Sequence, residues 1–290
     1  ELIDIFTVCE VLSIHSSTKG PLKAFLILIC PETKTLFPRC GGLRQSPINI
    51  VTNKVHFSSA LPHFSFIGHT DLINITVENK GHSESVRLTG GALPGHYRAA
   101  QFHFHWGERG TPGSEHTIDG ERFPMELHIV HIKEPYSSLE EAGHDMAGIA
   151  LLALFFEVTH HSTAGVSKVW ALINHRKINI KPKNTNGLNV LLSYIIPAAS
   201  ELHSYYRYVG SMTTPGCEQA VAWTVFHRIL SIIKQCRFWT GQPMTNIFRP
   251  TQPLDGRVVY SSKSGFYFYV FTFRVDMTPV VTCSTAWTVS

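Results

Sequence analysis

The sequence predicts a mixed, β-dominated fold in a single domain with a few short helices. Five segments are rich in β-branched and aromatic residues or alternate apolar with polar residues, as strands do; they are residues 72–78, 85–88, 101–106, 125–131 and 149–158. Glycine and proline clusters at residues 90–91, 94–95 and 111–113 punctuate them and predict turns. Hydrophobic residues make up 43% of the 290 residues, which excludes intrinsic disorder and allows a sizeable core.

Two segments leave the choice between helix and strand open. Residues 149–156 read IALLALFF, a continuous apolar run that periodicity alone does not distinguish from a buried helix. Because strands flank this run, we expect it to be a central strand of the sheet. Residues 187–195 are the best candidate for one of the short helices.

Two short segments, residues 101–107 and 126–131, contain the candidate metal-binding residues. Successive strand residues point to opposite faces, so Gln101, His103 and His105 share one face of their strand, and Glu126 and His128 share one face of theirs. If the two strands are neighbours, the three histidines converge on one metal ion. Three neutral imidazoles leave a fourth tetrahedral position open, as in catalytic zinc sites, whereas structural zinc sites are closed and usually contain thiolates.

A structural interpretation competes with this hypothesis, because the chain has 17 histidines and a His-x-His pair on an apolar strand is more often packed than metal-bound. The third histidine beside a carboxylate favours the metal. A zinc-bound histidine normally donates its other N–H to an acceptor, and Gln101 and Glu126 are placed to be such partners. His131 faces the other side, and we expect it to be a hydrogen-bonded structural residue, as we expect of His116.

From about residue 41 to residue 262 the sequence resembles an alpha-class carbonic anhydrase. Besides the two histidine segments, the motifs that carry the resemblance are QSPINI at 45–50, NKGHS at 79–83, GSEHTIDG at 113–120, YVGSMTTP at 208–215, VAWTV at 221–225 and FRP at 248–250. The resemblance implies a large, twisted, mostly antiparallel central sheet with the metal in a conical cleft. It also implies zinc-dependent, reversible hydration of carbon dioxide to bicarbonate and a proton.

The resemblance assigns roles by position. His103, His105 and His128 match the zinc ligands of the family. Thr213 matches the threonine that accepts a hydrogen bond from the zinc-bound hydroxide and passes its own proton to a glutamate, which here is Glu115. His82 stands where many members carry the proton-shuttle histidine, since a pKa near 6.5 suits proton transfer at physiological pH. The apolar wall that holds carbon dioxide, with a threonine at its mouth, corresponds to Val130, Leu151, Val221, Trp223 and Thr214.

Each catalytic assignment has a structural alternative. Charged residues are mostly exposed, so Glu115 could be an ordinary surface carboxylate. Threonine and proline favour turns, so residues 213–215 could be only a turn. His82 lies in a glycine-containing segment expected to be exposed, and its neighbours Lys80 and Ser85 differ from the polar residues that order the shuttle water in the family.

The six cysteines include no Cys-x-x-Cys pair, which argues against a cysteine zinc site. Cys40 and Cys217 match the disulfide of the extracellular, membrane-anchored branch of the family. The match implies an oxidising compartment, so the protein is expected to be secreted or at the cell surface; two free thiols are the alternative. Asn74 begins an Asn-x-Thr glycosylation pattern, which supports secretion weakly.

We expect a catalytic domain at residues 39–262, an atypical N-terminal segment at 1–38 and an atypical C-terminal tail at 263–290. The tail shows no convincing lipid-anchor signal, although related proteins carry such an anchor. Between Phe226 and Phe248 the chain is shorter than the family pattern, and Ile229 to Ile233 could be the remnant of a helix. The net charge of +4 is spread out, without a basic run, so no nucleic-acid partner is expected.

The expected partners are therefore carbon dioxide and bicarbonate, with aromatic sulfonamides and small anions as inhibitors. A folded but catalytically impaired extracellular binding module is the alternative function, because some relatives have lost their metal ligands. Here all three histidines are present. A zinc hydrolase of another fold would normally bring a carboxylate ligand or a His-Glu-x-x-His helix, and the sequence has neither feature.

Overall fold

A computed structural model of the chain describes residues 37–67, 72–75, 87–108, 111–158, 188–191, 196–213, 216–232 and 248–264. In these ranges helices are short: one α-helix at Leu139–Ala142 and 3₁₀ turns at Pro38–Gly41, Thr52–Lys54 and Ala199–Glu201. The strands are β1 (Asn49–Ile50), β2 (His56–Phe57), β3 (Phe64–Ile67), β4 (Leu72–Ile75), β5 (Arg87–Gly90), β6 (Tyr97–Trp106), β7 (Thr117–Ile118), β8 (Glu121–Arg122), β9 (Met125–Lys133), β10 (Ile149–Val158), β11 (Leu188–Leu191), β12 (Tyr205–Gly210), β13 (Val221–Ile232) and β14 (Tyr260–Ser261).

One nine-stranded sheet dominates the fold, with strand order β2-β14-β12-β13-β10-β9-β6-β5-β3. Within it the β10–β13 and β14–β2 pairs are parallel, and the other neighbouring pairs are antiparallel. The described residues also form two smaller sheets. One contains β1, β7 and β8, and the other pairs β11 with β4. The prediction of a β-dominated fold around a large, mostly antiparallel sheet is confirmed.

Strand β10 occupies the middle of this sheet, paired with β9 on one side and with β13 on the other. From Ile149 to Phe156 its side chains are buried whichever face they point to. A strand covered on both faces needs apolar residues at every position, which explains the uninterrupted run IALLALFF. The run is therefore a central strand, as predicted, and not a buried helix.

The alternation of side chains divides the interior into two cores. The core on one face of the sheet includes Leu127, Leu152, Phe156, Tyr205 and Phe226. The core on the other face includes Val130, Leu151, Ala153, Trp223 and Val225. The second face also carries the histidines predicted to bind metal, because His128 is directly opposite Ala153 in the β9–β10 ladder.

Two helix expectations were wrong. Residues 188–191 of the expected helix at 187–195 form β11, which pairs antiparallel with β4; a short apolar run does not reveal whether its backbone will find a strand partner. Residues 229–232 of the supposed helix remnant are the last part of β13, with Ile232 opposite Val158. Residues 233–247 lie outside the described part of the chain, as do 1–36 and 265–290.

A disulfide joins Cys40 to Cys217, as predicted. It links the 3₁₀ turn at Pro38–Gly41 to the segment that follows Thr213, and both cysteines are buried. The bridge spans 177 residues of sequence, so in the unfolded chain it would close a long loop. In the described ranges, no helix has the length and hydropathy needed to cross a membrane.

The loop after β6 returns against the end of that strand and places Glu115. The backbone N–H groups of Gly113 and Ser114 both donate to the Phe123 carbonyl at 2.8 Å. Gly113 lies so close to the β6 end that a Cβ there would be 1.6 Å from the Gly107 nitrogen. Glycine is therefore required by a backbone contact and not by a positive φ.

We predict that Gly113→Ala destabilises the protein by at least the roughly 1–3 kcal/mol typical of overpacking, because two backbone segments must separate. Gly120→Ala is the comparison, because a φ of +86° strains an alanine there while the space around its Cβ position is open, so this variant measures backbone strain without a close contact. Urea unfolding measures both. A Gly113→Ala loss no larger than that of Gly120→Ala would contradict the close backbone contact.

Replacing both Cys40 and Cys217 by serine should lower the free energy of unfolding by up to about 5 kcal/mol, because the unfolded chain gains the entropy of an open loop. The same loss should follow when the wild-type protein is unfolded in urea with a reductant present. Equal unfolding midpoints for oxidised wild type and the double variant would show that the bridge does not constrain the unfolded chain.

Candidate metal centre

The register between β6 and β9 brings the three predicted histidines together. His103 is directly opposite His128 in this antiparallel pair, and His105 is opposite Glu126. One ring nitrogen of each of the three histidines lies within 4.8 Å of one from each of the others. His105 and His128 are buried, and His103 is partly accessible. The structure thus forms a three-imidazole cluster on one face of the sheet.

The spacing of the cluster fits a tetrahedral zinc ion. His105 Nε2 lies 3.1 Å from His128 Nδ1. Two nitrogens bound tetrahedrally at zinc distances lie about 3.3 Å apart, so these two atoms need hardly move. Burial, followed by the charges of His105 and His128, lowers the pKa of His103 well below its ordinary value. The ring is therefore neutral, which is the form that binds a metal.

Glu126 fixes the orientation of His128 from behind. The carboxylate is fully buried, and its Oε1 lies 2.7 Å from His128 Nε2 and 2.6 Å from His116 Nδ1. Its Oε2 accepts the backbone N–H groups of Glu115 and His116, each at 2.8 Å. Because a carboxylate accepts, His128 donates from Nε2 and presents the lone pair of Nδ1 to the cluster.

The environment of Glu126 keeps it ionised. Burial alone would raise the pKa, but the charges of His116 and His128 and their hydrogen bonds hold the pKa of Glu126 well below its ordinary value. A chain of hydrogen bonds leads from Glu126 through His116 to Ser46. His116 Nε2 lies 2.7 Å from Tyr208 Oη, which lies 2.9 Å from Ser46 Oγ. The prediction that His116 is a hydrogen-bonded structural residue is confirmed.

His131 points to the opposite face, as predicted. It is fully buried, and its Nδ1 lies 3.2 Å from the Ile129 carbonyl oxygen. That oxygen is an acceptor, so Nδ1 donates. The structural role expected for His131 is therefore confirmed as well.

Glu115 is the second buried carboxylate of the site, so its interpretation as a surface residue is wrong. Its side chain has no solvent exposure, and its Oε1 accepts the Arg249 N–H at 2.8 Å and lies 3.4 Å from His105 Nδ1. Its Oε2 lies 3.9 Å from His128 Nδ1 and has no hydrogen-bond partner among the described residues. Burial raises the pKa of Glu115 despite the opposing charge of His128 and hydrogen bonds from Arg249 and Thr213.

Thr213 follows β12 at the edge of the cluster. It is 2% exposed, and its hydroxyl is one of the hydrogen-bonding groups that lower the pKa of Glu115. This burial beside a carboxylate goes beyond what a surface turn requires. Thr214 and the rest of the turn, as well as His82, lie outside the described residues, so their assigned roles stay predictions.

An apolar wall lies next to the histidines. Leu151 of β10 is opposite Val130 of β9 and Trp223 of β13, so the three side chains share the face of His128. Val221 joins them two residues before Trp223, and all four are essentially inaccessible to solvent. Trp223 packs edge-on against His128 with ring centres 4.8 Å apart, and its indole N–H donates to the Ser211 carbonyl.

The role predicted for Gln101 finds less support. Gln101 is opposite Val130 in the β6–β9 pair and lies on the face of the histidines, half-buried. In the described part of the chain, no hydrogen bond connects its side chain to any of the three histidines. Its proposed contact with a metal ligand remains a prediction.

Sequence reasoning missed the residues whose hydrogen bonds connect Glu115 to the chain of contacts that ends at Glu126. Arg249 donates its backbone N–H to Glu115 and its Nη1 to Gln45 Oε1 and the Ser46 carbonyl, at 2.9 and 2.8 Å. Ser46 in turn contacts Tyr208. The relevant signal was present, because these residues lie in the quoted motifs at 45–50, 208–215 and 248–250, but spacing does not show that distant motifs meet.

The family model for eukaryotic-type carbonic anhydrase matches residues 31–263, which is most of the chain. The chain is 35% identical over 260 residues to carbonic anhydrase 4 of Oryctolagus cuniculus, covering 84% of each protein. It is 38% identical over 255 residues to carbonic anhydrase 15 of Mus musculus, covering 79% of this chain and 78% of that protein. It is also 33% identical to carbonic anhydrase 7 of Homo sapiens over 250 residues, covering 78% of this chain and 91% of that protein.

The family match extends across the three-histidine strands, both buried carboxylates and the apolar wall. The sheet architecture, the Cys40–Cys217 disulfide and the cluster of three imidazoles agree with them. The chain therefore belongs to the eukaryotic-type carbonic anhydrases, a family of enzymes.

Proposed function

We propose that this protein catalyses the reversible hydration of carbon dioxide to bicarbonate and a proton at a zinc ion. The observation that carries the proposal is the convergence of three imidazoles beside a buried carboxylate and an apolar wall. The proposed catalytic domain spans residues 39–262, which include all the residues proposed to bind zinc or carbon dioxide.

The residues that would hold zinc are His103, His105 and His128. Three imidazoles fit the ion in number, chemistry and spacing, and they leave one position for a reactant. When bound, zinc would supply a Lewis acid that brings the pKa of water close to 7, a value for which carbonic anhydrase is itself the standard example. Glu126 would tighten binding by holding His128 in the tautomer that presents Nδ1.

Thr213 and Glu115 would orient the attacking oxygen. When Glu115 is ionised it can only accept hydrogen bonds, so the Thr213 hydroxyl would donate to Glu115 and keep its own lone pairs for a donor in the site. The attacking hydroxyl group is such a donor. This fixed direction of hydrogen bonding would restrict the rotation of the attacking hydroxyl group and leave its reactive lone pair free for the substrate.

The apolar wall would bind the substrate. Carbon dioxide carries no net charge and is held better by apolar side chains than by charged ones. Val130, Leu151, Val221 and Trp223 form such a surface on the face of His128, and Thr214 is proposed to lie at its mouth.

Proton release would be the task of His82. The proposal follows from its place in the family motif, since an imidazole with a pKa near 6.5 gives up and accepts protons at physiological pH. Aromatic sulfonamides and small anions are proposed as inhibitors, because both offer a donor atom for the open position of the metal.

We also propose an extracellular location, secreted or at the cell surface. The support is the buried Cys40–Cys217 disulfide, because such bridges persist in oxidising compartments. A glycan on Asn74, whose backbone lies in β4 opposite Asn189, belongs to the same proposal. Attachment to the membrane through a lipid anchor would follow from the family resemblance alone.

The ligand set is tested by His105→Ala, which should lose both zinc and carbon dioxide hydration. Loss of a residue that merely supports a ligand costs about 10–100-fold in metal affinity, and loss of a ligand costs more. Glu126→Gln should therefore fall between His105→Ala and wild type. His96→Ala is the control, because His96 is an exposed histidine outside the cluster.

Zinc content by mass spectrometry after dialysis and hydration by stopped flow measure these variants. One zinc per chain retained in His105→Ala would show that the proposed ligand set is wrong. Full zinc occupancy without hydration in the wild type would favour the alternative of a binding module.

The orienting pair is tested by Thr213→Ala, which should lower kcat/KM about 100-fold while zinc stays bound. Glu115→Gln should cause a similar loss, because an amide can donate and no longer fixes the direction of the Thr213 hydroxyl. Thr89→Ala, on β5, is the control and should leave kcat/KM and the zinc content unchanged. Wild-type kcat/KM in Thr213→Ala would remove Thr213 from the mechanism.

A further inference from the structure

A second pair of histidines lies outside the metal centre. His63 directly precedes β3, and His203 lies between the 3₁₀ turn at Ala199–Glu201 and β12. Both side chains are exposed, and their ring centres lie 6.2 Å apart with an interplanar angle of 75°. From this pair we propose a second, surface metal site that binds a divalent transition-metal ion through the two imidazoles.

The tautomer of His203 is set for metal binding. Its Nδ1 lies 2.8 Å from the Ser200 carbonyl oxygen, which only accepts, so Nδ1 carries the proton. The lone pair of Nε2 then faces outward from this contact. A ring nitrogen that donates to a carbonyl while the other nitrogen is left free is the arrangement found around metal-ligating histidines.

The nitrogens of His63 are available as well. Among the described residues, neither ring nitrogen of His63 has a hydrogen-bond partner. No carboxylate of that part of the chain lies within ion-pair distance of His63 or His203. The two rings are therefore not held together by a polar contact that a metal ion would have to break.

The backbone holds the two rings in place relative to each other. Tyr205 Oη donates to the Pro62 carbonyl at 2.7 Å, which joins the two segments. Gly91 N–H donates to the His63 carbonyl at 3.2 Å, and Ser262 Oγ donates to the His203 carbonyl at 3.1 Å. These hydrogen bonds fix the backbone at His63 and His203, so only the two side chains have to adjust when an ion binds.

The separation of the rings matches a shared ion. With metal–nitrogen distances of about 2 Å, two imidazoles on one ion have ring centres up to about 6.4 Å apart. The observed 6.2 Å falls within this span, although it exceeds the 4.5 to 5.3 Å between the rings of the three-histidine cluster. A separation of 6.2 Å corresponds to nitrogens on nearly opposite sides of the ion, which are the trans positions of a tetragonal ion such as Cu²⁺.

The donor set indicates which ion binds. Imidazole suits zinc, copper and nickel, and the affinity of divalent ions for such donors peaks at copper. Two imidazoles with water completing the shell bind less tightly than the three of the main cluster. Lys263 directly follows Ser262, whose hydroxyl donates to the His203 carbonyl, so its positive charge also limits the affinity. Cu²⁺ is therefore the most sensitive probe.

The test uses zinc-loaded protein titrated with Cu²⁺, with bound copper and retained zinc counted after gel filtration. We expect one copper held by two nitrogens, visible in electron paramagnetic resonance, while zinc is retained. His63→Gln and His203→Gln should each weaken this copper about tenfold or more. His96→Gln is the matched control, because it removes an exposed histidine elsewhere and should change nothing.

Several results would overturn the proposal: copper binding unchanged in either variant, loss in only one of them, or copper uptake only in exchange for zinc. Proton NMR of the wild type provides a check that needs no variant, since bound Cu²⁺ should broaden the ring signals of His63 and His203 together. Broadening of one ring alone would contradict a shared ion. The copper count and the ring signals do not involve carbon dioxide hydration, so a protein that fails to hydrate carbon dioxide would leave the second site unaffected.

Discussion

The pairing register of β6 with β9 is the constraint on which the site depends. It sets His103 opposite His128 and His105 opposite Glu126, so the three histidines and the Glu126 carboxylate share one face. Side chains alternate with a period of two, and a slip by one residue would turn the histidines of one strand into the apolar core. The same register, continued through β10 and β13, places Leu151 and Trp223 beside His128.

Two fully buried carboxylates next to each other would be costly unless their surroundings differed. Glu126 receives two backbone N–H groups and two imidazoles, which hold its pKa down and keep it ionised. Glu115 has fewer partners, and burial raises its pKa. Glu126 thus holds the His128 ring by a hydrogen bond, whereas Glu115 Oε2 has no hydrogen-bond partner among the described residues.

Sequence patterns predicted the central parts of this structure for identifiable reasons. Strand alternation placed His103 with His105 and Glu126 with His128, and the apolar run at 149–156 predicted the strand between β9 and β13. The helix at 187–195 was wrong because four of its residues pair with β4, a contact that local sequence does not encode. Arg249, Ser46 and Tyr208 were missed because their contacts join residues 162 and 203 positions apart. The resemblance to a family supplied the disulfide pairing, which composition left open.

Hydration of carbon dioxide by the wild-type protein, measured by stopped flow on samples of known zinc content, tests the central claim most directly. We predict rapid hydration that scales with zinc, reaches its maximum at one zinc per chain and is blocked by an aromatic sulfonamide. Hydration that does not depend on zinc, or no hydration at one zinc per chain, would contradict a catalytic centre formed by His103, His105 and His128.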